Sequence, residues 1–420
     1  MKKLFFFVRE YNDFDHLLPI IYYLNKKKIF SIKIFSIGTN IYKSKHHLKI
    51  LNNELNLKIK KFDELYKKNI FYYLHIFFFK LIDKIKVRNK YLNILIFFCL
   101  KSLSLLSQYF FFKIFKSKFL KIFLNSVIIP DFGTENIFPY NGILKICKKN
   151  KIPIVAYAHG VNIFSNLDPI RTSLDQPNIF KKFILNILLL KFNNYYYDKY
   201  LVGIEQNVYF RSTMYKSFNK TELKRIVEIG IPRFTDEWIQ ILDNYYNKNF
   251  KSTKKINLCI FLSNEKFNVD IYKLDNLLKR LSTLNNINFM IKGHTRSGLS
   301  GLKNKSYSNY ISNEESNNII SNIDIAIAYG TSIVFQALQK RIPLLIPSYL
   351  DNNNHIFIKY EACYEAKNEE SVIEFIDKYN KELYWEEKKI NIKKFINKIV
   401  YNNQNYETMM EQYVNFFKKI

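Results

Sequence analysis

A histidine and a glycine, His159 and Gly160, directly follow the apolar run IPIVAYA. Such a run predicts a buried strand, and α/β sheets bind their ligands at the carboxyl ends of strands. An imidazole at that place can act as a general base or acid near neutral pH, or donate a hydrogen bond to a phosphate oxygen. Gly160 lets the backbone turn sharply or approach a ligand. The alternative is a histidine that only caps the turn.

A second histidine, His294, follows the apolar run INFMI within the sequence Lys-Gly-His-Thr-Arg. Two cations, a histidine and a hydroxyl around one glycine at a strand end suit a diphosphate group. In its protonated form His294 could also neutralise a departing phosphate, whereas the alternative is a solvated basic loop. The phosphate ligands predicted beside it are Lys292, Gly293, Thr295 and Arg296.

The segment Tyr-Gly-Thr-Ser at residues 329–332 ends the buried run IDIAIAY and opens the helical run IVFQALQ. Gly330, Thr331 and Ser332 would present hydroxyl and backbone N–H groups at a helix start, where the helix dipole favours an anion. N-capping by Thr331 or Ser332 is the alternative, and it is compatible with phosphate binding. Because the segment comes after His294, it predicts further ligands of the same phosphate site.

Carboxylates that could deprotonate an acceptor hydroxyl follow two other predicted strands. Asp131 and Glu135 lie in PDFGTEN after the run SVII, and Glu205 comes after LVGI. For each of them a solvated loop carboxylate is the alternative.

No metal cofactor is predicted from the sequence. Asp13, Asp15 and His16 follow the first strand, but no second cluster is there to complete a coordination shell. Their DxD pair also lies too close to the N-terminus for the nucleotide-binding motif of GT-A transferases. The sequence contains no GxGxxG, GxxxxGKS/T, HExxH or GxSxG motif, which argues against nicotinamide, kinase, zincin and hydrolase chemistry.

The chain carries 65 Lys and Arg against 36 Asp and Glu, a formal net charge of +29. Heavy use of Lys, Asn, Ile, Phe and Tyr is typical of an AT-rich coding bias, which would account for part of the excess. The remainder would suit an anionic partner, namely nucleic acid, a phosphorylated donor or an acidic membrane surface. Lysines are spread along the whole chain without an RRM, KH or helix-turn-helix pattern, which argues against nucleic acid.

Residues 71–124 are rich in aromatic and basic side chains and pose a membrane question. A spanning helix needs about 20 largely apolar residues, and Lys101 interrupts the longest apolar stretch. We therefore expect either helices lying on a membrane surface or buried helices of the N-terminal domain. The opening MKKLFFFVRE predicts a strand rather than a signal peptide, and four scattered cysteines suit a reducing compartment. The predicted location is the cytoplasm, with peripheral attachment to the inner membrane face left open.

Strand-like and helix-like runs alternate along the chain, which is typical of α/β folds with parallel sheets. At 420 residues and 48 % hydrophobic, the chain can form two Rossmann-like domains that face a cleft, where ligands would bind. A helix is predicted over 43–69. The predicted divisions are an N-terminal acceptor domain 1–243 with a helical, aromatic-rich insertion 70–125, a linker 244–255, a C-terminal donor-binding domain 256–384, and a helical tail 385–420 that packs back on the N-terminal domain.

Five motifs follow one another in a familiar order: HisGly, GlyIleProArgPhe, LysGlyHis, AspIleAlaIleAlaTyrGlyThrSer and ProLeuLeuIlePro. This order resembles the GT-B superfamily that includes CDP-glycerol glycerophosphotransferases, capsule polysaccharide transferases and polysialyltransferases, over residues 126–350. The resemblance implies a GT-B-like fold, with catalysis and donor-phosphate binding at His159 and at His294 with Lys292. It also puts Arg233, in the ProArgPhe turn, among the predicted donor ligands.

Three positions depart from the pattern of this superfamily. Ala328 and Gln336 stand where the family has acidic residues, and Arg341-Ile342-Pro343 replaces its Gly-Lys-Pro. The departures leave the expected fold intact, but they leave the nucleotide and any ribose-binding carboxylate open.

The sequence therefore predicts a metal-independent, glycosyltransferase-like enzyme of surface-polysaccharide biosynthesis, for instance of capsule, O-antigen or LPS. A sugar would pass from a nucleotide-activated donor to a glycan or lipid-linked acceptor, with His159 or an acidic loop residue as the base. Three alternatives stay open. They are a CDP-alditol phosphotransferase of the teichoic-acid type, a GT-B-fold UDP-N-acetylglucosamine 2-epimerase, and a non-catalytic basic protein that binds a membrane surface.

Overall fold

The computed structural model of the chain describes residues 1–37, 41, 45–66, 68–84, 90–131, 138–158, 160–165, 197–209, 223–246, 254–264, 267–294, 298–299, 302 and 307–420. Two compact units form. Unit 1 comprises Met1–His159, Asn194–Leu201 and Val414–Ile420, and unit 2 comprises Gly160–Asn193 and Val202–Tyr413. The predicted linker 244–255 includes residues 247–253, which lie outside the described residues, so the predicted domain limits stay predictions.

The strands and helices alternate along the chain, as the sequence predicts. The strands are β1 (Lys2–Val8), β2 (Phe30–Ser36), β3 (Ile59–Lys61), β4 (Ser126–Ile129), β5 (Val155–Tyr157), β6 (Lys199–Val202), β7 (Ile226–Glu228), β8 (Ile256–Phe261), β9 (Ile287–Lys292), β10 (Ile325–Ala328), β11 (Leu344–Pro347) and β12 (Tyr364–Ala366). The α-helices are α1 (Tyr11–Lys26), α2 (Lys45–Lys49), α3 (Ile70–Lys84), α4 (Lys90–Phe123), α5 (Tyr140–Lys149), α6 (Ile204–Tyr209), α7 (Asp236–Asp243), α8 (Ile271–Thr283), α9 (Ser316–Ile320), α10 (Val334–Gln339), α11 (Ile356–Lys359), α12 (Glu369–Asp377), α13 (Lys381–Ile399) and α14 (Tyr406–Lys419).

The prediction of a helix over 43–69 is wrong for much of that range. Only Lys45–Lys49 is α-helical there, and a π-helical turn follows at Ile50–Glu54. The next residues form the strand β3 and a 3₁₀-helix at Phe62–Leu65. The strand is short and its lysines are exposed, so its sequence carries little of the apolar pattern that indicates a strand.

The sheet of unit 1 is parallel and has the order β3-β2-β1-β4. Isolated parallel bridges from Ile128 to Ile154 and from Asp131 to Tyr157 extend it to β5, which pairs in parallel with β6. The resulting order 3-2-1-4-5-6 is that of Rossmann folds, and it reverses between β1 and β4. Residues 4–8 of β1 are all buried, as expected for a strand covered on both faces.

The sheet of unit 2 is also parallel, with the order β12-β11-β10-β8-β9. This is the flavodoxin-like order, and it reverses between β8 and β10. Helix α8 covers this sheet with leucines that recur at helical spacing, and Asp270 caps its first turn. The leucines are Leu274, Leu277, Leu278 and Leu281.

Helices α3 and α4 pack against each other and form most of the predicted insertion. The rings of Phe71 and Phe110 stack with their centroids 5.3 Å apart. Between the helices, His75 Nδ1 lies 2.8 Å from Ser104 Oγ, and both side chains are buried. A polar contact between two apolar helices therefore helps to fix how they pack.

The carboxyl end of α4 is anchored in unit 1. Phe119 and Phe123 are buried there and stack on Phe62, which belongs to the core around β1. The stretch Leu95–Phe123 is long and apolar enough, by length and composition, to cross a membrane, and it is the one such helix among the described residues.

The buried His75 makes stability depend on pH. Burial lowers the pKa of His75 to about 4, and the Lys101 ammonium acts in the same direction. The unfolded chain takes up this proton near the ordinary pKa of 6.5, whereas the folded chain does so only near pH 4. The stability contributed by neutral His75 is therefore complete above pH 6.5 and is lost as the pH falls towards 4.

We expect the native protein to lose resistance to urea between about pH 7 and about pH 5 more steeply than the His75→Gln variant. The glutamine cannot titrate, but it keeps an acceptor for the Ser104 hydroxyl. Urea unfolding followed by circular dichroism at the two pH values checks this expectation. An identical pH dependence in both proteins would contradict it.

Candidate functional site

The carboxyl ends of β8 and β10 meet where the strand order of unit 2 reverses, and Ser263 and Gly330 follow these two strands. The Ser263 hydroxyl lies 3.4 Å from the carbonyl oxygen of Gly330. Gly330 has a φ of +72°, and a Cβ built on it would lie 2.0 Å from Ser263 Oγ. Only glycine fits this turn without displacing Ser263, because it has no Cβ and accepts a positive φ.

Thr331 and Ser332 stand directly after this turn, half-buried at the start of α10. The alternative of N-capping by Thr331 or Ser332 is not observed, because the cap residue is Ile333 and its side chain makes no capping hydrogen bond. Within the described part of the chain, neither hydroxyl takes part in a hydrogen bond. Both hydroxyls are therefore available to a ligand, whereas the N–H groups of Phe335 and Gln336 in the first turn already donate to the carbonyl oxygens of Ser332 and Ile333, at 3.2 and 3.0 Å.

Lys292 ends β9, the strand next to β8. Its ammonium donates a hydrogen bond to the carbonyl oxygen of Glu314 at 2.5 Å. Burial lowers the pKa of Lys292 from its ordinary value, although the carboxylates of Glu315 and Glu314 partly oppose this. The side chain thus lies at the predicted strand end, but it is bonded to the protein's own backbone.

His294 lies two residues further on and pairs through its backbone with Gly298. Its N–H donates to the carbonyl oxygen of Gly298 at 3.1 Å, and the Gly298 N–H donates back at 2.7 Å. A Cβ on Gly293 would lie 3.2 Å from the Gly298 backbone, so a larger residue would crowd the loop. The predicted ligands Thr295 and Arg296 lie outside the described residues.

The segment that follows the first predicted histidine also belongs to unit 2 and reaches the Gly330 turn. His159 itself lies outside the described residues, and the Gly160 carbonyl accepts a hydrogen bond from the Gln206 amide. A Cβ on Gly330 would lie 3.6 Å from the ring of Phe164. The fold therefore brings together two segments that the sequence predicts as ligand sites, although they are some 170 residues apart in the chain.

A buried histidine–carboxylate pair supports this segment, and sequence reasoning missed it. His355 Nε2 lies 3.2 Å from Asp351 Oδ2, and its ring packs edge-on against Phe164. The backbone runs beside it, with Ser165 N–H donating to the Asn354 carbonyl at 2.6 Å. The i, i+4 spacing in Asp-Asn-Asn-Asn-His was the available signal, but Asp351 stands after a 3₁₀-turn rather than directly after a strand.

Arg233 is 2 % exposed, so its guanidinium is held inside unit 2. It donates to the side-chain oxygens of Asn317 at 3.2 Å and Gln336 at 3.3 Å, and it stacks over Phe234. Gln336 is one of the positions that depart from the GT-B pattern. In this placement Arg233 joins the turn before α7 to α9 and α10, and a contact with donor phosphate would require it to leave these partners.

The carboxylates of unit 1 cluster where its own strand order reverses. Asp131, which follows β4, is buried and accepts a hydrogen bond from Arg9, which follows β1. Arg9 also contacts Asp13 at 3.2 Å. Burial by itself lowers the pKa of Arg9, but the two carboxylates outweigh it and the pKa is raised. A carboxylate held in this way is a weaker base, so the predicted role of Asp131 requires the pair to open.

The other acidic residues have different surroundings. Glu135 lies outside the described residues, and Glu205 accepts a hydrogen bond from the Tyr360 hydroxyl at 2.9 Å. Asp15 is paired with the buried His47, with Nε2 and Oδ1 2.7 Å apart. Among the described residues, no group of three or more His, Cys, Asp or Glu side chains is arranged to hold a metal ion.

Comparison with known proteins adds the fold relationship. No protein-family model matches the chain, and no curated protein does. A UDP-GlcNAc 2-epimerase from Neisseria meningitidis bound to UDP-GlcNAc superposes with a TM-score of 0.52 at 12 % identity, covering 100 % of both chains. S. aureus MnaA with UDP gives 0.51 at 12 % identity, covering 100 % of this chain and 96 % of MnaA. The wall teichoic acid polymerase TagF with CDPG gives 0.49 at 13 % identity, covering 100 % and 89 %.

The first two similarities confirm the predicted fold class, a GT-B-type α/β fold with parallel sheets. At these identities the similarity concerns the fold, and the chemistry has to be argued from the residues of this chain.

The Gly330 turn yields a test of the site's architecture. We expect Gly330→Ala to lower the free energy of unfolding by about 1–3 kcal/mol, the usual cost of a strained backbone residue, because the methyl group collides with Ser263. Gly160→Ala is the matched control, since a Cβ there meets nothing within 4 Å. Urea unfolding of both variants measures the difference, and equal stabilities would show that the turn is not held as described.

Proposed function

We propose that this chain is a glycosyltransferase-like enzyme that binds a nucleotide-activated sugar through its diphosphate at the Gly330 turn of unit 2. The observation that carries the proposal is the pair of hydroxyls of Thr331 and Ser332, which make no hydrogen bond to any described residue and lie at the point where the strand order reverses. Open α/β sheets bind ligands at such points. Hydroxyl groups are suitable hydrogen-bond donors to phosphate oxygens.

Positive charge for the donor comes from the adjacent strand end. Lys292 and His294 follow β9, the strand next to β8, and Arg296 is the third basic residue of the same segment. In the proposed reaction an acceptor hydroxyl attacks the sugar, and the bond from the sugar to the diphosphate breaks. His294, when protonated, would stabilise the charge that develops on the leaving phosphate.

The proposed base is His159 or one of the carboxylates Asp131 and Glu135. The proposal includes a glycan or lipid-linked acceptor, a place in capsule, O-antigen or LPS synthesis, and a cytoplasmic location. It includes no metal cofactor, because cationic side chains would offset the charge of the diphosphate and hydroxyls would donate hydrogen bonds to it. UDP, bound to MnaA, and UDP-GlcNAc, bound to the Neisseria meningitidis enzyme, support a nucleotide donor.

A second candidate is a UDP-N-acetylglucosamine 2-epimerase. The observation in its favour is the cluster of carboxylates in unit 1, where Asp13 and Asp131 share Arg9 and Asp15 pairs with His47. The fold brings Asp131 to Arg9 and Asp13, although it lies more than 100 residues further along the chain. Incubation with UDP-GlcNAc but no acceptor separates the two candidates, since only an epimerase would change the configuration at C2, visible by proton NMR.

Nucleotide binding tests the donor site. We expect one of UDP, CDP, CMP and GDP to raise the melting temperature of the native protein, with EDTA present or absent, because a ligand that binds the folded state stabilises it. Stabilisation by CDP or CMP would favour a CDP-alditol donor. The double variant Thr331→Ala/Ser332→Ala should bind that nucleotide about tenfold or more weakly, since each lost hydrogen bond contributes about 0.5–1.5 kcal/mol.

The matched control removes the same two hydroxyls elsewhere in unit 2. Ser282→Ala/Thr283→Ala changes a half-buried serine and an exposed threonine at the end of α8, where each hydroxyl donates to a carbonyl of its own helix. This control should bind the nucleotide like the native protein. Equal affinity of the Thr331/Ser332 double variant would reject the donor site, and no stabilisation by any of the four nucleotides would reject the proposed function.

His294 allows a separate prediction about chemistry. His294→Ala should abolish transfer, measured as release of nucleotide from the donor that the binding test identifies, while melting temperature and donor affinity change little. The backbone hydrogen bonds to Gly298 do not involve the imidazole, so the loop should keep its form. Full activity of the variant would remove His294 from the mechanism.

A further inference from the structure

The helix pair α3–α4 exposes large apolar side chains as a continuous surface. Phe77 on α3 and Leu95, Phe98, Leu106, Tyr109 and Ile114 on α4 are each 50–62 % exposed. Elsewhere in the described chain the large exposed apolar residues are Met1, Leu124, Tyr272, Leu383 and Ile390, which is ordinary for a protein surface. A contiguous apolar surface of this kind indicates a binding partner.

The exposed surface is not needed to hold the two helices together. Their packing uses the opposite side of α4, where Ser104 meets His75 and Phe111 is buried. Further along, Phe119 and Phe123 fasten the end of α4 to unit 1. The apolar surface is thus presented on helices that are already fixed by other contacts.

The charges around this surface favour anionic lipid over a second copy of the chain. Helix α4 contains no Asp or Glu, and Lys113, Lys116 and Lys121 are exposed beyond its apolar part. Lys80 and Lys84 are exposed towards the other end of the helix pair. Lysines beside apolar surface attract anionic headgroups, whereas two copies packed through these faces would place like charges together.

The same charges favour helices that lie along the membrane rather than across it. Residues 80–90 contain five basic residues against one acidic residue, and the far end of α4 is basic as well. Segments rich in Lys and Arg stay on the cytoplasmic side, so both ends of the helix pair belong on one side. Residues 95–110 of α4 precede its anchored end and span about 24 Å as a helix. This length is less than the hydrocarbon core of a bilayer, which is about 30 Å thick. Lys101 also lies near the middle of this segment.

We propose that the helix pair α3–α4 inserts into one leaflet of an anionic membrane, parallel to its surface, with the apolar side chains among the acyl chains and the lysines at the headgroups. This binding mode is independent of the donor site, so either proposal can fail alone. It would hold the enzyme at the surface where lipid-linked molecules reside.

A natural probe position lies within the surface. Cys99 on α4 is exposed, whereas Cys147, Cys259 and Cys363 are buried, so a thiol-reactive NBD fluorophore will label Cys99 selectively. With vesicles of phosphatidylcholine and phosphatidylglycerol, we expect a blue shift of NBD emission and protection from iodide quenching. Vesicles of phosphatidylcholine alone should give a much weaker response, because binding draws on both apolar burial and charge.

Vesicle co-sedimentation of two pairs of variants tests the apolar and the charged contributions to membrane binding separately. Leu95→Glu/Phe98→Glu/Leu106→Glu should reduce binding by about tenfold or more, because burying each apolar side chain stabilises the bound state. The control Leu383→Glu/Ile390→Glu changes equally exposed residues of α13 and should bind normally. Because these sites are exposed, glutamate there should not disturb the core. An unchanged circular dichroism spectrum would confirm that each variant is folded.

Charge is tested in the same way. Lys113→Gln/Lys116→Gln/Lys121→Gln should weaken binding to the anionic vesicles by roughly fivefold per lysine. The control Lys389→Gln/Lys393→Gln/Lys394→Gln removes the same charge from exposed positions of α13 and should leave binding unchanged. Equal losses in the two triple variants would show that only net charge acts, which would overturn the assigned surface.

Two further outcomes would overturn the proposal. A blue shift without vesicles that grows with protein concentration, with a dimer in light scattering, would assign the surface to a second copy of the chain. A fluorophore on Lys84→Cys, in a Cys99→Ser background, should stay accessible to a membrane-impermeant quencher added outside the vesicles. Protection at that position on binding would show that the helices cross the membrane.

Discussion

The parallel pairing of the strands is the constraint on which the rest of the structure depends. Because the strands within each sheet point the same way, the polar segments that follow them collect at one edge of that sheet. Where the strand order reverses, no crossover connection runs between the ends of the two neighbouring strands. In unit 2 these ends carry Ser263 and Gly330, and in unit 1 they carry Arg9 and Asp131, so one topological rule produces a hydroxyl-lined turn in one unit and an ion pair in the other.

The sequence predicts the architecture well where strands are continuous apolar runs. The runs before Arg9, Ser263 and Gly330 are buried on both faces, so a strand and its end can be read from the letters alone. It fails at β3, whose residues Ile59–Lys61 pair only at the edge of the sheet and expose two lysines. An edge strand does not need an apolar pattern on both faces, and the helical expectation over 43–69 was wrong for that reason.

The features of the candidate site also differ in how well the sequence predicts them. Positions at strand ends, such as Lys292, His294 and Thr331, are predictable because a local pattern marks them. The contacts that these side chains make are not predictable in this way. No local pattern indicates that His47 pairs with Asp15, or that Arg9 pairs with Asp131, which lies more than 100 residues away in the chain. Nor does the sequence show that Arg233 is buried against Gln336, although its ProArgPhe turn resembles the GT-B pattern. At that pair the glutamine keeps an acceptor for the guanidinium but lacks the formal charge that an acidic residue would bring.

The excess of basic residues can be divided among these surfaces by where the charges stand. Near the donor site, Lys292 already bonds a backbone carbonyl, and Arg233 is buried, so few of the described cations there face solvent. Around α3–α4 exposed lysines stand at Lys80, Lys84, Lys113, Lys116 and Lys121, and α4 has no carboxylate to pair with them. In the two proposals, phosphate recognition at the Gly330 turn would draw on the Thr331 and Ser332 hydroxyls together with Lys292 and His294. The exposed lysines of α3–α4 would act at the membrane, where attraction is long-ranged and needs no exact geometry.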